Sequence, residues 1–265
     1  MKRIALGLEY QGEHFHGWQI QPHLPTIQGA LQQALSQIAQ NNIHTFAAGR
    51  TDALVHACHQ VVHFDTPVIR PLTAWVRGAN AHLPDGISVL WAKEVSPDFH
   101  ARFCATSRRY RYFLLERTTR PGIFYHHMGW TFYALNTEKM QQALIFLLGT
   151  HNFSAFRAAT CQAKTPIQTM FDAQIKREKN LIVFDFHASA FLLHMVRNIV
   201  GALIEIGKEN KPPEWMAFLL EKQNRRLAAP TFQPNGLYFL GPTYDSKWKI
   251  PCWENQNFIF QNLNF

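Results

Sequence analysis

Apolar side chains at Ile4, Leu6 and Leu8 alternate with their neighbours at the period of a strand, and Ile27, Leu31, Ala34, Leu35 and Ile38 then recur at the spacing of an amphipathic helix that begins near Thr26. The runs HQVVHF (59–64) and ISVLWAKEV (87–95) predict two more strands, with a helix between them opened by Pro71 and stopped before Pro84. Beyond CATSRR, the segment YRYFLLE (110–116) predicts a strand, Pro121-Gly122 a loop, and TEKMQQALIFLLG (137–149) a helix closed by glycine. LIVFDFHA (181–188) adds a strand that leads into a helix over 189–207, a shorter helix around PPEWMAFLLEK (212–222) and a late strand at GLYFLGP (236–242). Strands and helices alternate in both halves, so the expected class is α+β, with a composition change near residue 104 and no internal repeat. The expected division is a domain over 1–104, a second over 105–245 and a tail over 246–265 whose role the sequence does not define.

The length of 265 residues suits two modest units, and 47% apolar against 17% charged residues excludes general disorder. An excess of 26 Lys+Arg over 18 Asp+Glu gives a net charge of +8, which fits a polyanion such as nucleic acid and equally fits a solvated basic surface. Cys58, Cys104, Cys161 and Cys252 form no C-x-x-C pair, so neither a zinc site nor a disulfide framework is indicated. The apolar run after Met1-Lys2-Arg3 is cut by Glu9 and Tyr10, too early for a secretory segment. The longest apolar stretch, 190–207, is broken by His194, Arg197 and Asn198, so a soluble, cytoplasmic protein without a membrane span is expected.

Three segments carry candidate chemistry. The helix predicted over 190–207 is apolar almost all round yet holds Arg197, and a desolvated guanidinium calls for an anion, either in a plain buried ion pair or from a ligand phosphate. In FHARFCATSRRYRYFLL (99–115), Arg102, Arg108, Arg109 and Arg111 crowd a strand with Tyr110 and Tyr112. Period two puts Arg109 and Arg111 on one face and both tyrosines on the other, which suits phosphate on one side and a stacked base on the other. A basic solvated face over a core-facing aromatic one has the same pattern. A third stretch, AAGRTDALVHA (47–57), sets Asp52 among small and apolar residues, where aspartate commonly caps a turn. His56 and His59 lack further partners at metal-ligand spacing.

Five ordered blocks, LGLEYQGEHFHGWQIQ (6–21), GRTDALVHA (49–57), FHARFCATSRRYRY (99–112), HMVRNIVG (194–201) and NGLYFLG (235–241), resemble the TruA family of tRNA pseudouridine synthases. The resemblance implies a pseudouridine synthase fold of two similar α+β halves, with mixed or antiparallel sheets flanked by helices. It also implies conversion of uridine to pseudouridine at positions 38 to 40 of the tRNA anticodon arm, by a homodimer with no cofactor and no metal. Asp52 matches the family's essential catalytic aspartate. Arg50 matches the arginine that helps hold the target nucleotide out of its stack, and Tyr110 the tyrosine that stacks under the uracil. Leu237 matches an apolar residue that walls the pocket, and Arg197 the arginine beside the aspartate, which would favour its charged form. Arg102, Arg108, Arg109 and Arg111 are the expected RNA contacts. The reaction breaks the C1′–N1 bond, turns the uracil and rejoins it through C5 without net redox change, so one placed carboxylate can serve. An RNA-binding relative that has lost the chemistry is the alternative. One departure is Leu54 where the family has glycine; a left-handed backbone there would cost a leucine about 1–2 kcal/mol. A negative φ is expected instead.

Overall fold

The computed structural model describes residues 1–252, and the remainder of the aromatic tail, 253–265, lies outside the described residues. In chain order the elements are β1 (Lys2–Tyr10), α1 (Ile27–Ala39), β2 (Phe46–Ala47), β3 (His56–Thr66), α2 (Leu72–His82), β4 (Ile87–Val95), β5 (Ala105–Glu116) and β6 (Gly129–Thr131). There follow α3 (Thr137–Leu144), β7 (Gly149–Asn152), β8 (Ile167–Glu178), β9 (Leu181–Ala188), α4 (Met195–Gly207), α5 (Trp215–Lys222) and β10 (Leu237–Tyr244). The class is α+β, as the alternation of patterns predicts. The chain forms two compact units, one from residues 1–106 with the segment that begins at Tyr238, the other from Ser107–Leu237. The late strand therefore departs from the division expected at residue 245. Tyr238 and Phe239 pair in parallel with His56 and Ala57 of β3, which draws β10 into the first unit.

In the first unit β1 lies antiparallel between β3 and β4, and β2 pairs with the far half of β3. Register decides which side chains share a face. Ile4 and Leu6 of β1 stand opposite Phe64 and Val62, and Phe64 meets Trp75 of α2 at a 5.1 Å ring separation. Two hydrogen bonds hold α2 to β4, since the Asn80 side-chain amide donates to Val89 O (3.0 Å) and its Oδ1 accepts from Val89 N–H (2.7 Å). The opposite face carries a second cluster of Ala5, Ala48, Val61, Phe99 and Ala101. The described start of the tail covers it: Trp248 stands edge-on to Phe99 at 5.4 Å, and the Lys93 ammonium donates to Lys249 O. Gly7 belongs to this face, where any Cβ would collide with the Trp91 indole.

In the second unit β9 lies antiparallel between β5 and β8, β7 pairs with β8, and β6 runs parallel to β5. The helix α4 is buried over nearly its whole surface, with Gly207 pressed on Met140 of α3. Three boundaries differ from the sequence pattern. The helix predicted over 189–207 starts only at Met195, because His194 takes a left-handed φ of 63° and interrupts it. The helix predicted over 137–149 ends at Leu144 in a tighter turn, and Gly149 at φ 94° opens β7 rather than closing a helix. The twelve residues of β8 escape prediction because only Met170 and Ala173 among them are buried, so no apolar alternation marks the strand. Among the described residues no helix is long and apolar enough to cross a membrane, and no cluster of three His, Cys, Asp or Glu could hold a metal ion.

Trp91 donates through Nε1 to His59 Nε2 at 3.0 Å, which leaves the proton of the neutral ring on Nδ1. That nitrogen is buried without a hydrogen-bond partner, facing Gly241, where a Cβ would stand 3.2 Å away. Burial pushes the imidazole down to about 4. An unfolded histidine titrates at about 6.5, so the stability gained by keeping His59 neutral is complete above that pH and is lost as pH falls toward 4. Urea unfolding at pH 7 and pH 5 should therefore show a stability loss about 1–2 kcal/mol larger in the wild type than in His59→Gln, whose amide oxygen can still accept from Trp91. Equal losses in the two proteins would acquit His59.

Candidate functional site

The loop Gly49–Val55 joins β2 to β3 and is held along its backbone from two directions. Gln60 of β3 grips Gly49 at both polar atoms, donating to Gly49 O at 2.8 Å and accepting from Gly49 N–H at 3.4 Å, much as a neighbouring strand would. Thr51 is buried; its hydroxyl shares a 2.8 Å hydrogen bond with the Tyr10 phenol, and its carbonyl accepts from Trp18 N–H at 3.0 Å. Burial pushes the Tyr10 phenol up to about 12, with the bonds to Thr51 and Gln60 drawing it partly back, so it stays protonated as a neutral strut. After the acid, Val55 N–H donates to Asp52 O at 3.2 Å and closes a four-residue turn whose third residue is Leu54. The Gly12 N–H then bonds His56 Nδ1 at 3.2 Å, which puts the proton of a neutral His56 on Nε2, and the ring stacks on Tyr238 at 4.6 Å.

This bracing needs two residues without side chains. A Cβ on Gly12 would enter the Val55 carbonyl, and one on Gly17, already at φ +89°, would lie 2.8 Å from Thr51 O and 3.0 Å from Ala53 N. Asp52 is half-buried and Arg50 exposed, so the fixed backbone presents both side chains toward the surface. A carboxylate on such a turn can act as nucleophile or base, because its position is set before any substrate arrives.

In the second unit, Tyr110 is buried on β5 with its ring edge-on to Phe191 at 4.9 Å. Arg197 lies in the first turn of α4, not mid-helix, and its Nε donates to Phe232 O at 2.9 Å while Phe232 N–H bonds Arg197 O at 3.3 Å. The next residue, Asn198, is wholly buried and satisfied: it donates to Phe156 O (2.7 Å) and accepts from Thr231 Oγ1 (2.7 Å) and Arg225 (3.0 Å). Together these bonds lash the segment 229–232 along α4, where Gly201 leaves room for the Pro230 carbonyl. Leu237 is buried at the end of a turn in which its N–H donates to Pro234 O at 2.9 Å.

The tRNA pseudouridine synthase family model matches residues 8–104 and 143–245, which include the Asp52 loop, Arg197 and Leu237 but not Tyr110 on β5. The chain belongs to the tRNA pseudouridine synthase family. Relatives bearing the name tRNA pseudouridine synthase A include a protein of Dechloromonas aromatica, 56% identical over 249 residues and covering 94% of this chain and 95% of its own length. One from Nitrosomonas eutropha is 59% identical over 94% of this chain and 90% of its own. A third, from Methylobacillus flagellatus, is 52% identical over 96% and 97%. This synthase is accordingly an isomerase that acts on uridine in tRNA.

The structure places Asp52, Arg50 and Leu54 on one braced turn of the first unit, and Tyr110, Arg197 and Leu237 within the second. The arginines of the basic strand differ in employment. Arg111 is tied to Asp185 by two bonds of 2.7 and 3.0 Å, and Arg108 donates to Ser189 O at 2.9 Å, whereas Arg102 is exposed above the Phe103 ring. Tyr112 shares Tyr110's face as alternation requires, but it is core, its hydroxyl spent on Gln233 O at 2.9 Å and its phenol raised by burial despite the Arg197 charge. Sequence inspection missed Tyr10, Gly12, Gly17 and Gln60. The signal available was Gly12 and Gly17, two of the three glycines inside LGLEYQGEHFHGWQIQ, each of which lies against the backbone of the Asp52 loop.

The expectation for Leu54 fails, since its φ is +66°, in the left-handed region. The turn keeps the conformation that favours glycine at its third position, and leucine occupies it under strain. Leu54→Gly and Leu54→Asn should match or exceed wild-type thermal stability, while Leu54→Val should fall below it by roughly 1 kcal/mol or more, because a β-branched side chain tolerates this region least. A valine variant as stable as the glycine variant would mean that the turn flips to negative φ.

Proposed function

We propose that the chain isomerises uridine at positions 38 to 40 of the tRNA anticodon stem-loop, with Asp52 as the essential group. The observation that carries this is the bracing of Asp52 through Thr51, Gln60, Gly12 and Gly17, a set of close backbone approaches that a mere turn cap does not require. In the reaction the C1′–N1 bond breaks, the uracil rotates and C5 bonds to C1′. The C5 proton leaves to solvent and N1 takes one up, so atoms balance with no redox partner. Asp52 serves as nucleophile or base. On the family likeness, Arg50 holds the target nucleotide out of its stack, Tyr110 stacks on the uracil, Leu237 walls the base and Arg197 favours the charged acid. Extrusion of a base takes a few kcal/mol, which stacking and phosphate contacts must offset. Arg111 is the least suited of the basic-strand arginines to phosphate, since its Nε and Nη2 donate to Asp185. The reading includes a homodimer working in the cytoplasm without metal or cofactor.

An RNA binder without chemistry had Leu54 as its support. A leucine that keeps the glycine conformation preserves the path of the turn, which favours the enzyme.

Asp52→Asn should lower pseudouridine formation on the order of 10³-fold or more while tRNA affinity stays within a few-fold, because asparagine retains size and turn bonding but not a charge. Tritium release from uridine C5 in an unmodified transcript measures the first and fluorescence anisotropy the second; a mutant as active as wild type would remove Asp52 from the chemistry. Affinity should also fall steeply with salt, with a log–log slope of about −0.7 to −0.9 per phosphate contact. A flat profile counts against the phosphate contacts, and sedimentation as a monomer at working concentration against the dimer.

A further inference from the structure

Within the second unit, the loop that leaves β5 and returns through β6 combines exposed aromatic side chains with positive charge. Ile123, Phe124 and Tyr125 are 89%, 48% and 44% exposed, and Phe132 and Tyr133 beyond β6 are 55% and 44% exposed. From Arg117 to Thr137 the chain carries Arg117, Arg120, His126 and His127 and no carboxylate. Arg120 lies over the Tyr125 ring at 5.2 Å, and Lys208 of the α4 end lies over Tyr133 at 4.3 Å. So many exposed rings in one stretch exceed the scatter normal for a soluble surface.

The loop is also built. Arg117 donates from Nε to Thr119 O (2.9 Å) and from Nη2 to Arg120 O (3.2 Å), and its own carbonyl accepts from the Trp130 indole at 2.7 Å. Its base is locked to the segment that leads to Leu237. Asn235 Nδ2 donates to Tyr125 O at 3.1 Å, and Gln233 Oε1 accepts from Trp130 N–H at 3.2 Å. Gly236 lies so close to Gly129 that a Cβ would stand 2.6 Å from the Gly129 nitrogen. A platform fixed in advance loses little freedom when a ligand settles on it.

We propose that this loop is a second RNA contact, on which unpaired nucleotides of the tRNA outside the target uridine stack on Phe124 and Tyr125 while Arg120 meets their phosphate. The occupant follows from charge and shape: aromatic faces interleaved with cations, on a segment whose own residues 117–137 include no carboxylate, match single-stranded nucleic acid, whose bases stack without regard to sequence. The neighbouring Glu116, Glu205 and Glu209 are each engaged by a cation, Arg177, Lys208 and Lys139 respectively. The bond from Asn235, two residues before Leu237, places the platform on the segment assigned to the uracil pocket, and the inference rests on that reading.

The test measures binding and turnover of an unmodified tRNA transcript by Tyr125→Ala, Phe124→Ala, Arg120→Ala and Tyr125→Trp. The alanine variants at the two rings should weaken Kd about tenfold with kcat at saturating tRNA within twofold, and Tyr125→Trp should restore affinity by restoring a stacking face. Arg120→Ala should shallow the salt slope by about one phosphate contact. A 4-thiouridine transcript should crosslink to Phe124 or Tyr125. Wild-type affinity in both ring variants, with normal thermal unfolding, overturns the proposal alone. A shift of Tyr125→Ala to a smaller sedimenting species with unchanged affinity makes the loop a protein contact and overturns it too. Wild-type protein without tRNA affinity overturns both this inference and the proposed function.

Discussion

The backbone of the loop Gly49–Val55 lies against the loop Gly12–Trp18 too closely for either Gly12 or Gly17 to carry a side chain. The rest of the first unit serves that approach. The end of β1 places Tyr10 under Thr51, the middle of β3 places Gln60 beside Gly49, and the stacked pair of His56 and Tyr238 closes the far side of the turn. Each bond removes one freedom from the chain around Asp52. The strain at Leu54 is held because these neighbours over-determine the turn; an isolated turn of this sequence would relax to negative φ.

The second unit uses the same device around Tyr112. Its ring occupies the space that side chains on Gly129 and Gly236 would fill, and its hydroxyl bonds Gln233 O. One buried phenol therefore fixes both the start of β6 and the approach to Leu237. Nearby, Asn198 and Arg225 bind the segment 229–231 to α4 with every polar atom of the asparagine engaged, so the burial of this polar group costs little.

Net positive charge is a poor measure of the surface left for RNA. Arg3 is held by Asp65 in two bonds of 2.7 Å, Arg177 by Glu116 at 2.5 Å, and Arg111 by Asp185. Arg157 and Arg225 donate to loop carbonyls. These guanidiniums brace strands and loops, with five donors each to satisfy main-chain oxygens that lack a ladder partner. Among the exposed cations, Arg102 and Arg120 lie over aromatic rings and Arg50 stands beside the acid's turn.

Local pattern alone determined the elements whose faces differ in polarity. β4 and β9 end where alternation ends, α1 begins at the capping Thr26, and α2 fills the space between two prolines. The same reasoning put Tyr110 and Tyr112 on one face and drew attention to Asp52, although only the family likeness gave that residue a role. Tertiary structure decided what pattern cannot encode. Whether an exposed strand such as β8 forms depends on a neighbour to pair with, because its own burial is slight. Whether Arg111 is spent depends on Asp185 standing opposite across the sheet. Whether Leu54 sits at positive φ depends on hydrogen bonds that tie its loop to distant residues, Tyr10 and Trp18 on Thr51 and Gly12 on His56. Periodicity records which side of an element meets the core; it carries no account of which distant group arrives there, and in this chain those arrivals make the site.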